Sequence, residues 1–140
     1  RNPLLAFFAV EAATCAAIAL AFGPCAVVVW AGQAFVAVLL LQIINYVEHY
    51  GLRRRELAPG TYERVTPLHS WNASERLTNR LLFNLERHSD HHAHASRPYQ
   101  LLRHWDESPQ LPTGYAGMLL LALVPPLWFR VMDRRLPRAV

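Results

Sequence analysis

Seven of the 140 residues are histidine, and four of them crowd into one short stretch, His88-Ser89-Asp90-His91-His92-Ala93-His94. On a helix, neighbours three and four positions apart share a face. At about 100° per residue, His91 and His92 lie roughly 60° and 40° to either side of His88, whereas His94 lies about 120° away. His88, His91 and His92 are therefore expected to present their imidazoles to one point, and His94 is not.

A single histidine on an apolar stripe is ordinarily a satisfied core residue. Three side by side without a metal leave donors unmatched and invite like-charge repulsion on protonation. A metal ion removes both costs, so the three are candidate ligands. Imidazole ligation suits zinc, copper, iron or nickel, and spacing alone does not choose among them. No cysteine lies nearby, which argues against a structural zinc site. His49 is a fourth candidate ligand. It closes a long apolar run just before Gly51, a natural helix stop. Ligating imidazoles usually donate their second N–H to a carboxylate or carbonyl. Asn45, Glu48 and Asp90 are the candidates for that supporting layer, although Glu48 reads equally well as a solvated helix end.

The elements that must position these residues are unusually apolar. Hydrophobic residues make up 53% of the chain and charged residues only 17%, which is more apolar than an ordinary soluble domain. The first fifty residues hold one arginine and two glutamates, Glu11 and Glu48. Residues 3–22 and 25–44 are each long enough to cross a bilayer core, which takes about 20 apolar residues, and Gly23-Pro24 between them suits a tight turn. Arginines flank the outer ends, Arg1 on one side and Arg53-Arg54-Arg55 on the other, which places both ends in the cytoplasm. The net charge of +4 is carried entirely by arginine. No basic run is interleaved with aromatics in the manner of a nucleic-acid groove, so no nucleic-acid partner is expected. Cys15 and Cys25 read as small packing residues. Glu11 reads as facing a helix that lies outside this chain.

Residues 53–71 read as irregular. A helix is then expected from Asn72, which with Glu75 forms a capping-box pattern, to about Ala93 or Ala95, before Pro98. Leu77, Leu81 and Leu85 would carry the histidine face back as an apolar stripe. The sequon Asn72-Ala73-Ser74 is discounted because the segment reads as cytoplasmic. Residues 114–129 are uncharged but interrupted by Pro125-Pro126, too short for a span, and read as interfacial, re-entrant or packed on the histidine-bearing part. The expected fold class is all-α. A transmembrane hairpin spans residues 1–52, and a cytoplasmic helical segment over 53–140 carries the metal site and a membrane-associated apolar stretch.

Two segments resemble the membrane-bound alkane monooxygenases. Asn45-Tyr46-Val47-Glu48-His49-Tyr50-Gly51-Leu52 matches the pattern N-Y-x-E-H-Y-G-L of that family. Leu85-Glu86-Arg87-His88-Ser89-Asp90-His91-His92-Ala93 is similar to its last histidine box, L-Q-R-H-S-D-H-H-A. Glu86 stands where the family usually has Gln, and on a helix running through this region it falls opposite His88, so little consequence is expected. Residues 97–115 and 125–129 are similar to the family as well. The resemblance implies two iron ions, with His49, His88, His91 and His92 among their ligands. It also implies terminal hydroxylation of an n-alkane with O2, electrons from a rubredoxin, and a bacterial inner (cytoplasmic) membrane with the metal site on its cytoplasmic side. The family's earlier boxes, of H-E-x-x-H-K and E-H-x-x-G-H-H type, do not occur here. Together with Arg1 in place of methionine, this reads as a C-terminal fragment that is not active alone.

Other histidine-box oxidases, namely a xylene-type monooxygenase or a fatty-acyl hydroxylase or desaturase, share the same logic. A membrane metal-binding or transport protein is the non-enzymatic alternative. The topology makes a prediction of its own. With Cys15 and Cys25 replaced, a cysteine introduced at Gly23 should react with a membrane-impermeant reagent only from the non-cytoplasmic side; labelling confined to the cytoplasmic side refutes the hairpin orientation.

Overall fold

The computed structural model of the protein describes residues 2–137. The chain forms two compact units, Arg1–Leu41 and Gln42–Val140.

The first unit holds helix α1 (Pro3–Phe22) and the greater part of α2 (Pro24–His49). Asn2 caps α1 by accepting the Leu4 N–H at 3.0 Å, and Pro3 enters where its missing N–H has no helical partner in any case. Gly23 closes α1 with φ +83°, a conformation that glycine adopts without strain, and Pro24 opens α2 at once. The expected turn is thus a single residue. No side chain of α1 is buried, and both helices are long and apolar enough to cross a membrane. A helix that is apolar all round is at home only in an apolar medium or a large core.

The second unit begins inside α2. Its core comprises Val47, Trp71, Ala73, Leu111, Tyr115, Met118, Trp128 and Met132. As expected, α2 ends at His49 and the chain turns at Gly51, with φ +69°. A Cβ at Gly51 would stand 2.2 Å from Leu136 Cδ2, so only glycine fits there. The stretch read as irregular is more ordered than expected. It contains a short antiparallel hairpin, β1 (Glu56–Ala58) and β2 (Thr61–Tyr62), so the fold is mostly but not wholly helical. The Arg55 N–H donates to Glu63 Oε1 at 2.7 Å and the Gly60 N–H to Glu56 Oε1 at 2.8 Å, which ties the hairpin shut.

The long helix expected over 72–95 is not formed. Two short helices replace it, α3 (Arg76–Leu81) and α4 (His88–Ala93), separated by a turn in which Phe83 and Asn84 take φ +52° and +59°. Asn72 lies outside both helices and is fully buried. Its side-chain Oδ1 accepts the Ser89 N–H at 3.0 Å. Ser89 is the second residue of α4, so Asn72 does cap a helix, but one that starts sixteen residues later in the chain. The leucine stripe dissolves with the helix: Leu77 and Leu81 are 71% and 67% exposed.

The break also reverses the expectation for Glu86. It is wholly buried; Oε2 accepts the Asn79 Nδ2–H at 2.9 Å and Oε1 the Tyr115 N–H at 2.7 Å. A Cβ on Gly114 would come within 2.9 Å of Oε1, so the carboxylate rests against bare backbone. Residues 114–129 form α5 (Tyr115–Ala122) and the start of α6 (Pro125–Met132), broken at the proline pair. Tyr115, Met118 and Trp128 pack into the core while Leu120, Leu123 and Leu127 remain exposed.

Glu86→Ala should destabilise the protein by about 3 kcal/mol, because it strands two buried donors. Glu86→Gln keeps an acceptor for Tyr115 and should cost less than about 1 kcal/mol. Thermal unfolding of the detergent-solubilised protein reads the difference, and equal shifts for the two variants would disprove the acceptor role.

Candidate metal centre

Three of the four candidate ligands meet. His49 Nε2 lies 3.2 Å from His92 Nε2, which lies 2.8 Å from His88 Nε2. The ligand atoms of His49, His88 and His92 all fall within 4.8 Å of one another. Each is delivered by a helix end. His49 is the last residue of α2, and His88 and His92 stand one turn apart on α4.

The tautomer of His49 follows from its partner. Nδ1 lies 2.8 Å from the Asn45 backbone carbonyl, which can only accept, so Nδ1 carries a proton and Nε2 is the nitrogen left to face the cluster. Burial drives the His88 pKa down to about 3, helped by His92, His49 and His91. Burial, followed by His49 and His91, lowers that of His92 as well. Both rings are thus neutral near pH 7, the state that binds metal.

The donor set fits a metal. Two nitrogens about 2.1 Å from one ion and at right angles around it are about 3.0 Å apart, close to the separations found. Without a cation, lone pairs on adjacent imidazoles face one another in a partly dry site. Glu48 is buried; its Oε2 stands 3.1 Å from His88 Nε2 and its Oε1 has no partner among the described residues.

His91 does not join the three. Its ring is exposed, with centroids 5.9 Å from His88 and 5.8 Å from His92. The wheel argument treated i+3 and i+4 alike, but in this six-residue helix only the i+4 partner of His88 meets His49. His94 stays apart, with Nδ1 3.1 Å from Asp90 Oδ1 and its ring stacked on Trp105.

Of the candidate supporting residues, Asn45 acts through its carbonyl, whereas Glu48 touches His88 at Nε2, the nitrogen of the cluster, and not at Nδ1, which has no partner among the described residues. Asp90 is hydrogen-bonded elsewhere. It is fully buried and accepts from Arg97 Nη1 at 2.6 Å, from the Arg103 N–H at 2.9 Å and from the Trp105 indole at 2.9 Å. Burial alone would raise its pKa, but these donors outweigh burial and hold it below the usual carboxylate range. Asp90 anchors residues 97–105 to the helix that carries the ligands.

Two residues of the site carried no signal that spacing could reveal. His69 and Ser70 line a cavity of about 300 Å³ together with His49, His92 and Arg54. The Ser70 hydroxyl is buried without a partner among the described residues, and His69 is held by the Thr66 N–H at 3.0 Å on one nitrogen and by Glu63 at 3.2 Å on the other.

The fatty acid desaturase family model matches residues 2–132. Alkane 1-monooxygenase 2 of Pseudomonas aeruginosa is 58% identical over 95% of this chain and 35% of its own length. Alkane 1-monooxygenase 2 of Alcanivorax borkumensis is 56% identical over 96% of this chain and 35% of its own. The xylene/toluene monooxygenase hydroxylase component of Pseudomonas putida is 30% identical over 80% of this chain and 29% of its own. The chain spans about a third of the length of the curated relatives it matches.

In a full-length protein, His49→Ala, His88→Ala and His92→Ala should each abolish metal binding, whereas His94→Ala should retain it and cost about 1 kcal/mol of stability. Metal analysis of the four variants in parallel is the check; loss from His94→Ala as complete as from His88→Ala would defeat the geometric assignment.

Proposed function

The chain belongs to the fatty acid desaturase family, and we propose that the protein carrying it is a membrane-embedded di-iron monooxygenase that hydroxylates the terminal methyl of n-alkanes. The observation that carries this reading is the convergence of three imidazoles at one point, delivered by helix ends of the same unit. Identities of 56–58% to proteins named alkane 1-monooxygenase, against 30% to a xylene/toluene enzyme, favour the alkane over the aromatic substrate.

His49, His88 and His92 would hold one iron. We assign His91, exposed beside them, to a second, whose remaining ligands would come from residues outside this chain. When bound, iron supplies O2 activation and the chemistry that breaks a terminal C–H bond. This chain's residues do the positioning. The Asn45 carbonyl aims His49, and Asn72 and Asp90 fix the start and the flank of α4. Glu48 sets a carboxylate beside His88. Trp71 and the core around it keep water from the back of the cluster. In this reading α1 and α2 cross the bacterial inner membrane, residues 53–140 and the metal centre face the cytoplasm, and a rubredoxin delivers the electrons.

The full-length protein should contain about two irons per chain and convert octane to 1-octanol with O2, rubredoxin and its reductase. Zinc or copper in place of iron, with no alcohol formed, would point instead to a metal-binding or transport protein. Products from xylene or an acyl chain, but not from octane, would move the assignment within the family.

A further inference from the structure

The metal site accounts for His49 but not for the residues that flank it. Tyr46 and Tyr50 line, with His49, a second cavity of about 430 Å³. Behind them stands Trp128. The ring centroids are 5.3 Å apart for Tyr46 and Tyr50, 5.4 Å for Tyr46 and Trp128, and 5.2 Å for Tyr50 and Trp128. Trp128 is buried, with an indole N–H that has no partner among the described residues, and Tyr46 is 44% exposed. The Tyr50 hydroxyl donates to Asp133 Oδ1 at 2.5 Å, and Asp133 is itself exposed. Phenylalanine would fill nearly the same space at both tyrosine positions. What these residues share beyond bulk is that they are the side chains most easily oxidised by one electron, and one of them has a carboxylate base on its hydroxyl.

We propose that Tyr50, with Trp128 and Tyr46 behind it, is an escape route for oxidising equivalents, draining the metal centre when oxygen is activated and no substrate C–H bond is in reach. The proposal rests on the oxygenase reading above. A terminal methyl C–H bond is stronger than a phenolic O–H bond, so a centre able to break the first can oxidise the second. Traffic in the opposite sense is excluded, because neither a phenol nor an indole accepts an electron from a biological donor. The triad therefore carries holes outward and does not carry reducing electrons inward.

Electrons and protons balance along the route. Tyr50 gives one electron to the oxidised centre; its O–H bond breaks, and the proton forms an O–H bond on Asp133 Oδ1. A neutral phenoxyl radical and a carboxylic acid remain. Trp128 can pass an electron to the Tyr50 radical, which takes its proton back from Asp133, and be refilled by Tyr46, whose phenolic proton leaves to solvent. One electron from the iron–sulfur donor of the proposed reaction, or from ascorbate, reduces the radical, and the proton returns to the phenolic oxygen.

The test uses the full-length protein in detergent, as wild type, Tyr50→Phe and Asp133→Asn. In the first arm a ruthenium photo-oxidant injects holes with no need of the metal's chemistry. The expected result is a tyrosyl signal in electron paramagnetic resonance that narrows with ring-deuterated tyrosine and disappears in Tyr50→Phe. In Asp133→Asn, which keeps the ring and removes the base, the yield should fall roughly tenfold, the weight of one charge-assisted hydrogen bond. In the second arm the iron-loaded protein meets O2 and reductant without alkane; the same signal should appear, and octane should suppress it. A purely structural Tyr50–Asp133 contact predicts altered unfolding but unchanged radical yield, and that result overturns the relay. If Tyr50→Phe does not fold, an unchanged yield in Asp133→Asn overturns it equally. Octane hydroxylation with no radical in either arm sinks the relay and leaves the function standing. A photo-induced radical on Tyr50 in a protein that hydroxylates nothing supports the relay and sinks the reading of the site.

Discussion

The residues Trp71, Asn72 and Ala73 are buried but belong to no helix or strand, Asn72 making only an isolated bridge to Gln110, and a buried backbone must find partners for its polar groups. It finds them in three separate segments. The Trp71 N–H reaches the Glu48 carbonyl at 2.9 Å, the Ala73 N–H reaches the Glu86 carbonyl at 3.0 Å, and Asn72 exchanges bonds with Pro109 and Leu111 at 2.8 and 2.7 Å. The side chains extend the pattern. The Trp71 indole donates to the Tyr50 carbonyl, and Asn72 Oδ1 caps α4. The end of α2, the start of α4 and the 109–111 segment are thus referenced to one short run of chain. His49 and His88 stand at a fixed separation because both are hung from it.

The buried polar groups grade from structure to chemistry. Asp90 has five donor contacts, and its work is mechanical. Glu86 has two donors and ties α3 to α5. Glu48 Oε2 meets His88 while Oε1 has no hydrogen-bond partner among the described residues; His88 Nδ1 and Ser70 Oγ are likewise unmatched there. Half-satisfied groups cost stability wherever they are buried. Here three of them gather at the imidazole cluster or its cavity. Asn72 Nδ2, Asn79 Oδ1 and Trp128 Nε1 are unmatched in the surrounding frame as well, so it is the gathering of three at the imidazoles that suits a place kept for a ligand.

Much of this could be read from the residues, and the failures share a cause. Both apolar helices, the Gly23 break, the Gly51 stop and the convergence of His49 with His88 and His92 follow from local patterns that the structure keeps. The helix expected over 72–95 failed because Asn72 and Glu75 look like a local cap, whereas Asn72 caps at long range. The break at Phe83 and Asn84 carries no glycine or proline, and only Asn84 is a residue type that tolerates a positive φ. Once that helix was assumed, the wheel placed Glu86 on an idle face and counted His91 with its neighbours. Periodicity reports which face a residue occupies within one element. It is silent on where an element stops when tertiary hydrogen bonds make the decision.

The dependence of the site on the Pro109–Leu111 segment has a consequence for biogenesis. His49 leaves the ribosome about sixty residues ahead of that segment, and elongation runs at about 5–20 residues per second. For about 3–12 s the end of α2, and for about 1–4 s the histidines of α4, exist without the segment that completes the frame around Asn72. Imidazoles in that interval are solvated, protonatable and open to whatever metal is most abundant. In the proposed reading, selection of the ion would wait until the last third of the chain has been made. A truncation just before Pro109 would keep every imidazole of the cluster yet lose the frame that makes their separation a property of the fold.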